Sequence, residues 1–418
     1  MSMIENCLRS FESGEFENAN KLYNEILTKG LPEDQLSLAD GLSQLGFMEE
    51  ALALYEAIHL QYPDEGEILL AIAETLQELG REDEAISYTS NISKDDSAYP
   101  QALLMEADIY QAQGLYEVSE KKLLTAKKVL PNEPVLDYAL GELYAIEGKW
   151  LEAIDCYKEV EKQGSQEELQ IDKSMAIALT SAGKFEEALS YYEKALEEKL
   201  DSDVLFGYGF AAEKAGYNQT AIDRWTELKE LDPDYHSVHL LLAKVYEKEE
   251  MLPEGLAAVK DGIKNDPYHK ELFYYAGKLS LKMGNEQEAE NYLREALAID
   301  PSYLDAIQTL IKLFIHHEKY EEAVDLIEYF EAEGEEHPQL TWDYAYCLQQ
   351  LERFEDALSQ YQSAYTYFKN KKEFLEDYGY FLMEYGLRNE AINIFTNILE
   401  IDPTNDEIRD IIERLSEA

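Results

Sequence analysis

One phrase recurs through this chain, and its period constrains the fold more than any other feature. It reads GEFENANKLY at residues 14–23, GFMEEALALY at 46–55, GKWLEAIDCY at 148–157, GKFEEALSYY at 183–192 and ERFEDALSQY at 352–361. Anchored on its small residue, it falls at Ala19, Ala51, Ala85, Ser119, Ala153, Ala188, Ala221, Gly255, Ala289, Ala323, Ala357 and Ala391, at spacings of 32 to 35 residues. Self-similarity at such a period is the signature of stacked repeats, each of which cannot bury its apolar face alone. Twelve repeats account for the chain as far as Pro403, with no room for a linker or a second domain between them.

Each repeat has a physical reading. Twelve residues before the anchor stands a second small residue, Ala39, Ala73, Ala107, Gly141, Ala176, Gly209, Ala243, Gly277, Ala345 or Gly379. Two small residues face to face let a pair of helices approach at the short end of the usual 8–10 Å range. Five residues before the anchor, nine repeats carry glycine, which suits a left-handed helix end and a tight turn. Twelve residues after it, six repeats carry proline, which ends the second helix. Four residues after it, a Tyr, Trp or Phe in seven repeats fills the space beside the small pair. The repeat is helix, turn, helix, turn.

This pattern resembles the tetratricopeptide repeat, whose period is about 34 residues and whose motif places Leu-Gly and Tyr on the first helix and Ala, an aromatic and Pro on the second. Leu140-Gly141, Tyr144, Gly148, Ala153 and Tyr157 match it in the fifth repeat; Gly379, Gly386, Ala391, Phe395 and Pro403 match it in the twelfth. The whole most resembles cytoplasmic tetratricopeptide proteins of Gram-positive bacteria. The resemblance implies an all-α, right-handed superhelical solenoid of about twelve helix-turn-helix repeats over residues 1–403. Residues 404–418 then form a C-terminal capping helix, with Ile408, Ile411, Ile412 and Leu415 as its apolar stripe. Three departures stand out. Ile311 replaces the small residue of the tenth repeat, so its helices are expected to sit farther apart and loosen. Glu250, Glu318 and Glu352 occupy turn-glycine positions. The stretch 331–338 lacks a proline in register.

Searching for chemistry finds little. Phosphate-binding, dinucleotide-binding, zinc-protease and serine-hydrolase motifs are absent, so no enzyme activity and no cofactor are expected. His236 and His239 could share a helical face but lack a third metal ligand, while His316 and His317 point apart. Cys156 and Cys347 read as buried, inert thiols, and three scattered cysteines suggest a reducing compartment. With 36 basic against 87 acidic residues the net charge is −51, which argues against nucleic acid. No apolar run approaches the roughly 20 residues of a membrane span. A cytoplasmic location is expected.

Binding must therefore be read from the face that this repeat family uses, the row of first helices. Eleven residues before the anchor stand Asp40, Glu74, Asp108 and Glu142, then Lys244, Lys278 and Lys312, then Tyr346 and Tyr380. Seven before it stand Lys214, Lys248, Lys282 and His316. The groove is expected to run acidic, basic, then aromatic, with the lysines, Trp342, Tyr346 and Tyr380 meeting a protein or peptide partner that carries an acidic segment. The bland alternative is that the lysines pair with carboxylates of adjacent repeats. The family's clamp for a partner's C-terminal carboxylate is absent: Lys173 has Ile177 where Asn is needed, and the next repeat offers Gly207. The expected function is a non-catalytic scaffold; the alternative is a regulatory sensor whose groove holds a small ligand or signalling peptide and gates a partner.

Overall fold

The computed structural model describes residues 2–164, 169–332, 334 and 337–417. Contacts divide it into two compact units, residues 1–215 and 216–418. The first contains α1 (Met3–Glu12), α2 (Phe16–Lys29), α3 (Pro32–Gln44), α4 (Met48–His59), α5 (Gly66–Glu78), α6 (Glu82–Thr89) and α7 (Tyr99–Ala112). It continues with α8 (Tyr116–Val129), α9 (Pro134–Ile146), α10 (Trp150–Gln163), α11 (Ile171–Ser181), α12 (Phe185–Glu198) and α13 (Ser202–Ala215). The second contains α14 (Asn218–Leu231), α15 (Val238–Lys248), α16 (Leu252–Asn265), α17 (Lys270–Lys282), α18 (Glu286–Ile299) and α19 (Leu304–His316). It ends with α20 (Tyr320–Ala332), α21 (Pro338–Gln350), α22 (Phe354–Phe368), α23 (Lys372–Tyr385), α24 (Arg388–Ile401) and α25 (Asp406–Glu417). No strand occurs among the described residues.

The small residues do what their spacing predicts. All twelve anchors are buried. Opposite them, a Cβ on Gly141 would meet the Tyr157 ring at 2.4 Å, and one on Gly379 the Phe395 ring at 2.5 Å. A fuller residue has no room there. The first repeat seats Cys7 in this position, fully buried, with its thiol directed at the carbonyl of Ala19.

The turns hold a surprise. The nine turn glycines all have φ between +71° and +87°, and Glu250, Glu318 and Glu352 adopt the same hand at φ +59°, +55° and +59°. Position, not residue type, dictates the left-handed turn; the glutamates take it against their own preference.

Ile311 corrects the expectation of a loose tenth repeat. The α19 and α20 backbones do run less closely than those of α17 and α18 or of α21 and α22. The space gained is filled, because Ile311 itself is completely buried within an apolar cluster reaching from Leu293 to Ile411. The pair is spaced wider and packed, not slack. In the stretch 331–338 that lacks the expected proline, Glu333, Glu335 and Glu336 lie outside the described residues.

Within each compact unit, first helices lie against successive first helices, as α5 against α7, α9 against α11, α15 against α17 and α21 against α23. Second helices do so only at α2 and α4 among the closely packed pairs. The first helices therefore form the inner row, and their free faces line it. At the far end, α25 lays Ile408 and Ile411 on α24, and the Arg388 guanidinium donates to the Leu415 carbonyl.

Candidate functional site: the first-helix face

A residue eleven before its anchor and one seven before it lie one turn apart on the same helical face. In the second to fifth repeats this register is acidic, and its carboxylates fall into two kinds. Tyr55 donates to Asp40 at 2.7 Å and Tyr157 to Glu142 at 2.6 Å, so the filler aromatic of the repeat also ties down the acid beside it. The third and fourth repeats have Thr89 and Leu123 in place of that tyrosine. There Glu74 and Asp108 stay exposed, and the protein crowding around them pushes both pKa values up. Lys214, also in the first compact unit, sits over the Phe210 ring and reaches its neighbour Glu213 at 3.0 Å.

In the second unit the structure splits the predicted basic stripe. Lys278 and Lys282 of α17 converge on Glu247 of α15, at 3.0 and 2.5 Å, and Tyr275 donates to the same carboxylate. Burial pushes the Glu247 pKa up, but hydrogen bonds from Lys282, Tyr275 and Lys278 outweigh it and hold the group at about 2. These two lysines are an interhelical brace. Lys248 closes α15 and is exposed. Lys244 and Lys312 are different: both are exposed, and neither has a carboxylate within ion-pair distance among the described residues.

The aromatic end is mostly core. Trp342, expected on the binding face, is only 9% exposed and packs against Phe368 and Phe374, with ring centroids 5.4 Å away in each case. Its indole N–H donates to Asp377 at 3.0 Å and Lys371 caps its ring at 4.6 Å. Burial of so large a ring, with its one donor satisfied, makes it a packing residue. Tyr346 is half-buried, edge-on to Tyr320. Tyr380 is 41% exposed and stands edge-on to Phe395, facing Glu407 of α25.

Two carboxylates in this region carry no sequence forecast. Asp343 and Asp377 lie 34 residues apart on α21 and α23, and burial raises the pKa of each. For Asp343 the value reaches about 6, despite a hydrogen bond from Gln339 and the nearby charges of Lys312 and Lys371. Its Oδ2 is buried without a hydrogen-bond partner. The 34-residue recurrence was the available signal; burial was not.

Other candidates dissolve. His236 precedes α15 instead of sharing a helical face with His239, which is buried against Asn265. His316 and His317, expected to point apart, instead converge on Glu286, at 3.9 and 2.8 Å, with ring centroids 5.3 Å from each other. No cluster of three potential metal ligands occurs among the described residues. Cys7 and Cys347 are buried while Cys156 is half-buried, and burial pushes the three thiols up to about 11, 12 and 11, which leaves them unreactive. Lys173 is engaged by Asp201 at 3.0 Å. No helix is long and apolar enough to cross a membrane among the described residues.

Comparison with known proteins agrees with this architecture. Descriptions of YpiA-like tetratricopeptide repeats match residues 111–165, and of the YpiA-like C-terminal repeats residues 338–405. General tetratricopeptide descriptions match 4–95, 173–203 and 280–340. The TPR repeat-containing protein YpiA of Bacillus subtilis (strain 168) is 38% identical over 417 residues, covering 100% of this chain and 99% of that protein. Human protein O-mannosyl-transferase TMTC1 is 28% identical over 200 residues, 46% of this chain but 22% of that protein. Among solved structures, YrrB, described as a TPR protein with an unusual peptide-binding site, aligns with a TM-score of 0.40 at 19% identity, over 45% of this chain and 96% of YrrB.

Proposed function

This chain belongs to the family of the Bacillus subtilis tetratricopeptide protein YpiA, and from that premise we propose that it is a non-catalytic scaffold holding a segment of a partner protein on its first-helix face. Tetratricopeptide repeats in general mediate protein–protein interaction. One observation carries the finer reading. Lys244 and Lys312 stand exposed in one register of the first-helix face, and neither has a carboxylate within ion-pair distance among the described residues. An acidic stretch of the partner is their natural counter-charge. The surrounding negative field rejects acidic molecules that approach elsewhere. Exposed Tyr380 and half-buried Tyr346 extend the surface beyond Lys312, and α25 closes the array. Three free cysteines accord with work in the reducing cytoplasm.

The test reverses Lys244 and Lys312 together. Lys244→Glu/Lys312→Glu should release partner proteins that the wild-type chain captures, by roughly tenfold or more, since each exposed pair is worth about 0.2–1 kcal/mol and reversal adds repulsion. Capture by the wild type should fall as salt rises. Helicity by circular dichroism should not change. Capture that survives the double reversal, or ignores salt, refutes the basic-register reading.

A further inference from the structure

A cleft opens beside the tenth repeat on the side of the second helices. Leu310 and Phe314 lie two positions from Lys312 and His316, about 200° round α19, and so face away from the first-helix surface. With Leu297 of α18 and Leu326 of α20 they floor the cleft, of about 530 Å³, between those two second helices. Tyr329, half exposed, stands at its edge. The rim is acidic: Glu322 and Asp325 are exposed and have no ion-pair partner among the described residues. Two cations stand over the Phe314 ring, Arg294 and Lys319, and Glu290 neutralises both, at 2.9 and 3.4 Å.

We infer that this cleft is a second docking surface, which takes a basic amphipathic helix of a partner protein with one or two large apolar side chains beside Lys or Arg. An apolar floor with a one-sided acidic rim accepts apolar anchors and selects flanking cations. A second copy of the chain is a poor occupant, because it too carries a net charge of −51. A helix laid between α18 and α20 presents its anchors at i, i+3 or i+4, the spacing that a groove between helices accepts. This surface is separate from the first-helix face, so either can fail without the other.

A fluorescein-labelled peptide serves as the probe, with Leu and Phe at i, i+3 and i+7 and Lys elsewhere, titrated with the full chain and read by anisotropy. Saturable binding is expected. Glu322→Lys/Asp325→Lys should weaken it about tenfold or more, and Ala298→Trp, which fills the cleft from its exposed α18 edge, by a similar factor. Glu152→Lys/Asp155→Lys changes the same register positions in the fifth repeat by the same charge, and should bind like the wild type. Lys244→Glu/Lys312→Glu should not weaken the probe. Absence of saturable binding overturns the inference, as does an equal loss in the fifth-repeat control or indifference to Ala298→Trp. Concentration-dependent dimerisation in sedimentation that Ala298→Trp abolishes would assign the cleft to a second copy, and also overturns it.

Discussion

Replacing the three left-handed glutamates by glycine should stabilise the protein. Glu250, Glu318 and Glu352 have φ of +59°, +55° and +59°, where the β-carbon crowds the following carbonyl at roughly 1–2 kcal/mol per residue. Glycine removes that strain. It also loses more backbone freedom on folding, which costs about 0.5–1 kcal/mol. No side-chain contact is sacrificed, because all three side chains are exposed and none has a hydrogen-bond or ion-pair partner among the described residues. The net gain is then about 0.5–1 kcal/mol per site and roughly 1.5–3 kcal/mol for the triple variant, if the sites are independent. Urea unfolding followed by circular dichroism measures the sum. Hydrogen exchange of the amides in α15–α16, α19–α20 and α21–α22 locates it, which matters because a repeat array need not unfold in one step. Glu321→Gly, inside the first turn of α20, is the control and should lose about 0.5–1 kcal/mol. Triple-variant stability at or below that of the wild type would refute the strain argument, since it would mean that glutamate holds this conformation at no cost.

Two further substitutions test the packing and the buried carboxylate. Ile311→Ala should cost about 2–5 kcal/mol in the same urea assay, because a fully buried side chain in a filled space leaves a cavity; a neutral result would show that α19 and α20 close up without it. Asp343→Asn should change the pH dependence of stability. With its pKa raised to about 6, folded Asp343 keeps a proton that the unfolded chain loses from about pH 4 upward, so its share of stability is present in acid and is lost as pH rises to about 6. Relative to wild type, the variant should gain up to about 2–3 kcal/mol between pH 4 and pH 7; parallel pH profiles would show that Asp343 titrates normally.

The repeat register was legible because its causes are local. Small residues at fixed offsets, turn glycines and terminal prolines each answer to backbone sterics, and they recur often enough to outvote exceptions. Even the exceptional glutamates obey the register, which residue preference alone does not predict. Ile311 was legible as a departure but not in its outcome: sequence shows a large residue in a small seat, not whether the neighbouring helices give way. The site was harder. Lys244, Lys278 and Lys312 look identical at a period of 34, yet only Lys278 finds Glu247, because pairing depends on which of many carboxylates the adjacent helix brings near. Trp342 looks like a ligand platform until Asp377 is seen to satisfy its one donor. Asp343 is one acidic residue among 87, and sequence does not show that its Oδ2 is buried without a hydrogen-bond partner.

The neighbour-to-neighbour packing of the helices bears on how the polypeptide is made. Within each compact unit a helix lies against the next in sequence or the next but one in the same row, so its tertiary partners there lie within a few tens of residues along the chain. Low sequence separation makes loop closure cheap and folding fast. During synthesis, α1 through α3 can reach their final packing once α4 has formed, while the distal helices are still being translated, since none of the closely packed partners of α1, α2 or α3 lies beyond α4. The apolar surface awaiting cover at any moment is then the leading face of the newest repeat, a small and fixed exposure however long the array becomes.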